Sequence, residues 1–261
     1  MKIGFIGCGN MGGALAGAIS RNMENKVYIS DNNKAKAEEF ASSIGAEMCE
    51  SKEVAAIVDI LFIGVKPNYV LSVAEEIRDS VGENTLIVSM AAGVALSKLA
   101  GYFGEDKKII RIMPNTPVKV GMGVIAWCAS ERITEADEES FLSAMTPCGL
   151  VDKLPENLID AECAVAGCGP AFAYMFIEAL ADGAVTCGLP RDKAILYAAE
   201  TLKGAAEMVA ATGEHPEALK DAVCSPGGAT IEGVRALENG GLRAACIDAV
   251  VNAYEKTKKL G

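Results

Sequence analysis

The sequence predicts an α/β fold, with an N-terminal doubly wound parallel sheet over residues 1–160 followed by an all-α domain over 161–261. Three observations carry this reading. Short apolar runs of strand length alternate with helical patterns from residue 3 to about 151. The glycine turn GCGNMG stands between the first apolar run and the first helical one. After about Ala161 strand patterns cease and alanine-rich segments take over.

Taken in order, Ile3 to Ile6 is a buried strand, Gly7 to Gly12 a turn, and Ala14, Leu15, Ala18 and Ile19 continue at helical spacing. A second strand, Lys26 to Ser30, ends at Asp31, and residues 34–43 form a helix before Gly45. Ile57 to Val65 is a third strand, followed by Lys66-Pro67 and a helix from about Tyr69 to Ser80. Thr85 to Ser89 and Ile109 to Met113 continue the sheet, and Gly123 to Cys128 and Leu150 to Val151 close it. Strands that alternate with helices imply parallel crossovers.

In the second domain, residues 171–185 and 194–210 are apolar all round. A helix of that kind must be covered on every side, and about a hundred residues enclose too little interior to do it. A second copy supplies the cover, which predicts an intertwined homodimer.

The net charge of -11 and pI near 4.7 oppose a nucleic-acid or anionic-membrane partner, because an acidic field repels phosphate. Nine cysteines without a CxxC pair fit neither a disulfide framework nor a zinc site, so reduced thiols in the cytoplasm and no metal are expected. Cys163 and Cys168, five apart in a helical pattern, should lie on different faces. The chain opens directly as a strand, and neither a signal peptide nor a membrane span is expected.

GxGxxG between a strand and a helix, with an acid nineteen residues after its last glycine, is a dinucleotide cradle of the Rossmann type. Gly7 permits the tight turn, Gly9 lets the backbone approach a pyrophosphate, and Gly12 lets the helix pack on the sheet; Cys8, Asn10 and Met11 share the loop. Asp31 favours NADH if it meets a ribose hydroxyl. Ser30, Asn32, Asn33 and Lys34 favour NADPH if it points away, and Asp31 is also placed to cap the next helix. Val65, Lys66 and Pro67, then Ala91, Ala92 and Gly93, and finally Asn115 follow later strands at the ligand-binding edge. Lys66 equally suits a solvated loop, and Pro67 a helix start.

Near the C-terminus, Ser225-Pro226-Gly227-Gly228-Ala229-Thr230 precedes an apolar helical pattern. Amides freed at a helix start hold a small carboxylate without arginine, and Thr230 adds a donor. Capping by Thr230 or Ser225 is the alternative. A nucleotide cradle and a small-acid cradle in one chain suggest a reductase. The single histidine, His215, stands beside Pro216 at a helix start and reads as a surface or capping residue rather than a proton relay.

GCGNMG, VKP, AAGV, RIMPNTP, GCGPAF and LKDAVCSPGGATIEGVRALE, in this order, resemble the pyrroline-5-carboxylate reductase family over essentially the whole chain. The resemblance implies a dinucleotide-binding domain, an interlocked helical dimerisation domain, assemblies of dimers, and reduction of a cyclic imine to L-proline with NADPH or NADH. It makes Thr230 the hydroxyl facing the ring nitrogen. It makes Ser225, Gly227, Gly228 and Ala229 the carboxylate cradle, flanked by Val223. Cys168 and Phe172 depart from the serine and tyrosine of many relatives, which puts a hydroxyl role there in doubt. The competing reading, a two-domain 3-hydroxyacid dehydrogenase, wants a lysine that the stretch from Gly169 to Tyr174 lacks. A nucleotide-sensing protein without chemistry is the non-enzyme alternative.

Overall fold

The structure, a computed structural model, describes residues 1–259 and divides into two compact units. The first holds Met1–Cys168 and residues 253–259, and the second is Gly169–Asn252.

In the first unit the runs of branched and aromatic residues become strands of one sheet. These are β1 (Lys2–Ile6), β2 (Lys26–Ser30), β3 (Glu47–Met48), β4 (Ile60–Ile63), β5 (Leu86–Ser89), β6 (Lys108–Pro114), β7 (Gly123–Ala129) and β8 (Gly149–Lys153). They lie in the order β3-β2-β1-β4-β5-β6-β7-β8. Neighbours run parallel except β6 and β7. That reversal departs from the parallel crossovers expected of alternating elements. Its cause is the connection, which holds only the 3-10 turn Thr116–Val120 and no helix to carry the chain back.

Helices α1 (Asn10–Ile19) and α2 (Lys34–Ile44) pack on one face of the sheet, and α3 (Ser51–Ile57), α4 (Val70–Ile77) and α5 (Leu96–Phe103) on the other; α6 (Glu135–Met145) joins the first group. Both faces are therefore dry, which is why the strands read as unbroken apolar runs. Phe5 stacks on Phe62 with ring centroids 4.6 Å apart, and each such buried side chain stabilises the fold by roughly 2–3 kcal/mol. Strand order switches direction at β1 and β4, and an open sheet binds its ligands in the crevice beyond that point.

The unit continues through α7 (Ile159–Glu162) into a π-helical turn, Cys163–Gly167. The Cys168 amide donates to the Cys163 carbonyl at 2.9 Å. This wider turn brings the fifth residue back toward the same side, so the two cysteines do not take the opposed faces that α geometry would give them.

The second unit is helical: α8 (Gly169–Thr186), α9 (Arg191–Thr212), α10 (Pro216–Val223), α11 (Ala229–Asn239) and most of α12 (Leu242–Thr257). Its buried core is Ala181, Ala194 and Ala198, where α8 meets α9. Tyr174, Met175, Leu196, Tyr197 and Met208 lie exposed. No strand occurs beyond β8 among the described residues.

Candidate active site

The cradle begins with steric fit among glycines. Gly7 has φ +94, and a Cβ there would come within 2.8 Å of the Gly64 backbone. A Cβ on Gly12 or on Gly64 would overlap the Gly7 carbonyl oxygen. Three glycines thus let β1, α1 and the end of β4 close on one another. Gly64 escaped the sequence reading, because it stands outside the GxGxxG spacing. Gly9 behaves differently, since a Cβ there meets nothing within 4 Å. It caps α1 without a side-chain hydrogen bond, so the first amides of that helix stay open. Open amides at a helix start carry the partial positive charge that attracts anions.

Around the cradle, the Gly7 amide donates to the Ser30 carbonyl at 2.8 Å. The Cys8 amide donates to Asp31 Oδ2 at 2.7 Å, and the Asn33 amide to Asp31 Oδ1 at 2.9 Å. Asp31 therefore turns toward the loop. The cap of α2 is Asn33, whose side chain accepts the Lys36 amide at 3.2 Å, so the capping alternative for Asp31 is corrected. Ser30 is buried with its Oγ 3.0 Å from Ser51 Oγ, whereas Asn32 is exposed. Lys34 pairs with Glu50. A groove beside the loop is lined by Cys8, Gly9, Asn10, Arg21, Lys36 and Lys119 among others. Burial, reinforced by the charge of Asp31, pushes the Cys8 thiol up to about 12 and keeps it an inert neutral group.

Met11 is half-buried against the core on the sheet side of the same loop. Val65 packs at the end of β4; Lys66 is exposed and Pro67 opens a 3-10 turn, Pro67–Tyr69. Ala91, Ala92 and Gly93 form the loop between β5 and α5, with Gly93 at φ +74. Asn115 is buried, and its amide group is engaged at both ends: Nδ2 donates to the Ala166 carbonyl and Oδ1 accepts the Val124 amide, each at 2.9 Å. Its side chain braces a carbonyl of the π-helical turn.

In the second unit, Gly228 caps α11 with no side-chain hydrogen bond. Gly227 has φ +67, and a Cβ on Gly228 would overlap Ser225 Oγ. The turn is held by the Gly228 amide donating to the Ser225 carbonyl at 3.0 Å. Ala229 and Thr230 open the helix, and Val223, Ser225 and Thr230 are exposed in the single chain. Neither hydroxyl caps the helix, which removes the capping alternative and leaves both available as donors. His215 does cap: its Nδ1 accepts the Glu217 amide at 3.2 Å. Lys220 pairs with Glu217 at 2.6 Å and Asp221 at 3.2 Å on a solvated helix face.

All nine cysteines are free, and no metal-binding cluster of His, Cys, Asp and Glu occurs among the described residues. Glu162, just before the π-helical turn, has a buried Oε2 with no hydrogen-bond partner. Burial, with the charge of Asp152 added, pushes its carboxyl up to about 7.

The helical run Glu156–Thr186 has 31 residues and contains an 18-residue window of mean hydropathy 1.5, long and apolar enough to cross a bilayer, yet only 6% of that window is buried in the chain. A family model described as pyrroline-5-carboxylate reductase dimerisation matches residues 156–260 and takes in this whole run. A second, described as NADP oxidoreductase coenzyme F420-dependent, matches residues 2–93. The chain is 44% identical to the pyrroline-5-carboxylate reductase of Escherichia coli K12 over 99% of its own length and 98% of that protein's. Among solved structures, it superposes on pyrroline carboxylate reductase of Plasmodium falciparum with NADP bound at a TM-score of 0.88, 32% identity, and coverage of 100% and 98%. It superposes on 1-pyrroline-5-carboxylate reductase of Streptococcus pyogenes at 0.90, with 30% identity and coverage of 99% and 98%. With a glycine cradle, an uncapped turn before α11 and full-length likeness all in agreement, the chain belongs to the pyrroline-5-carboxylate reductase family.

Proposed function

We propose that this chain reduces 1-pyrroline-5-carboxylate to L-proline, the last step of proline biosynthesis, in the cytoplasm and as a homodimer able to build larger assemblies. The observation that carries the reading is the turn before α11. Gly227 in the left-handed region and Gly228 packed on Ser225 aim the free amides of the helix start outward, with the Thr230 hydroxyl beside them. Ser225, Gly227, Gly228 and Ala229 hold the substrate carboxylate, Val223 flanks the ring, and Thr230 donates to the ring nitrogen as it becomes an amine.

The dinucleotide bound at Gly7–Gly12 supplies the hydride. The chain's own work is positioning, because a protonated cyclic imine is already electron-poor and needs no strong general acid. This agrees with His215 being spent on a helix cap. We further propose that NADPH is accepted. Asp31 is committed to two backbone amides, and Lys36 and Arg21 line the neighbouring groove without a carboxylate partner among the described residues. Asn115 braces the chain at the cofactor edge through its two side-chain hydrogen bonds. The apolar run from Glu156 to Thr186 serves protein contact, and neither a membrane nor nucleic acid is a partner.

The test is the fall of NADPH and NADH absorbance when 1-pyrroline-5-carboxylate is added to purified protein. No oxidation of either cofactor overturns the reading.

A further inference from the structure

Ala91–Gly93 lie in the loop of residues 90–95 that joins β5, ending at Ser89, to α5, starting at Leu96. Nothing local caps α5: Ala95 is its N-cap residue and offers no side-chain hydrogen bond. The missing acceptor comes from sixty residues away, where Glu156 Oε1 accepts the Leu96 amide at 2.7 Å. Arg111 on β6 holds that carboxylate, with Nη1 3.2 Å from Glu156 Oε1 and Nη2 2.9 Å from Asp160 Oδ1. The Arg111 side chain is 5% exposed, so the pair is shielded from solvent on the arginine side.

These contacts close a ring. Arg111 pairs with Ser89 in the β5–β6 ladder, so the residue that fixes the far end of the loop is also registered against its near end. Between the two anchors the loop is held by long bonds: the Met90 amide to the Ile63 carbonyl at 3.4 Å, the Val94 amide to the Ala91 carbonyl at 3.3 Å and the Ala91 amide to Ser89 Oγ at 3.4 Å. A carboxylate at the start of α5 also meets the positive end of the helix dipole.

We propose that Arg111 and Glu156 are positioning residues that set the Ala91–Gly93 loop to receive the nicotinamide half of the cofactor. This rests on the reading that the loop contacts that half. The glycine loop, which grips the pyrophosphate, has no part in the ring.

The experiment measures binding of NADPH and of 2′,5′-ADP, which lacks the nicotinamide half, by titration of the full chain and of Glu156→Ala, Glu156→Gln and Ala92→Leu. Thermal unfolding accompanies each variant. Glu156→Ala should weaken NADPH about tenfold while leaving 2′,5′-ADP unchanged. Glu156→Gln keeps an acceptor for Leu96 but loses the charge toward Arg111, so it should fall between, and it carries the test if the alanine variant does not fold. Ala92→Leu should also weaken NADPH alone. If Ala92→Leu affects NADPH and both Glu156 variants do not, the tether is wrong. If Ala92→Leu leaves NADPH unchanged, the loop reading itself fails and takes the proposal with it. Equal loss of both ligands in the Glu156 variants would mean general destabilisation and overturns it too.

Discussion

Asp31 Oδ2 accepts the backbone amide of Cys8 at 2.7 Å, so the acid at the end of β2 is a brace for the glycine loop that follows β1. A charge-assisted bond of this kind contributes about 1.5–3 kcal/mol. Asp31→Ala should therefore weaken NADPH and NADH by a similar factor, roughly tenfold, because the loop loosens for both. Fluorescence titration with each cofactor checks this. A preference that swings toward one of them would show Asp31 reading the ribose instead.

The glycines of the cradle separate fold from binding. Gly64→Ala places a methyl on the Gly7 carbonyl oxygen, and overpacking of backbone against backbone should cost about 1–3 kcal/mol along with cofactor affinity. Gly9→Ala meets no protein atom within 4 Å, so its melting temperature should stay near that of the parent while affinity for the dinucleotide falls. Calorimetry beside cofactor titration distinguishes the two, and equal melting losses would contradict the assignment.

Thr230 at the start of α11 keeps its hydroxyl free of a capping role. Thr230→Ala should lower turnover by roughly 10- to 100-fold, equivalent to about 1–3 kcal/mol, with a smaller change in substrate KM. Thr230→Ser should recover most of the rate. Steady-state kinetics with the imine decides, and an alanine variant with parental kcat would remove Thr230 from the chemistry.

Glu162 makes stability depend on pH. Its folded carboxyl is raised from 4.5 to about 7, so the native state holds a proton that the unfolded chain has released. The stability that Glu162 contributes is fullest below pH 4.5 and is lost as pH rises through about 7, the opposite sign to a salt-bridged carboxylate. Glu162→Gln should abolish that decline and gain about 1 kcal/mol at pH 8 relative to pH 5, allowing for partial solvent access. Melting temperatures across this range test it, and parallel profiles would show that the carboxyl titrates normally.

Much of the fold was legible because its signals are local. The apolar runs became strands, GCGNMG became a turn opening α1, and the absence of strand patterns after β8 held. Ile57, expected to open a strand, ends α3 instead, and the short helices α3, α5 and α6 were missed, although α3 and α6 carry capping boxes, Glu50 with Glu53 and Thr134 with Asp137. Their few apolar positions give too weak a period to stand out, and packing on the sheet does the rest. The helical segments' need for outside cover was legible too, and the exposed Tyr174, Met175 and Tyr197 bear it out within the single chain.

The sequence by itself determined the main strands, the glycine turns before α1 and α11 and the kinship of the chain, since these depend on residue type and spacing along a few turns. Tertiary structure alone decided the direction of Asp31, the bracing of Ala166 by Asn115, the role of Gly64 and the Arg111–Glu156 ring. Each of these joins residues from about 20 to 60 positions apart through a hydrogen bond or a steric contact. Such pairings leave no period in the chain, because they are fixed only when the sheet brings distant strand ends side by side.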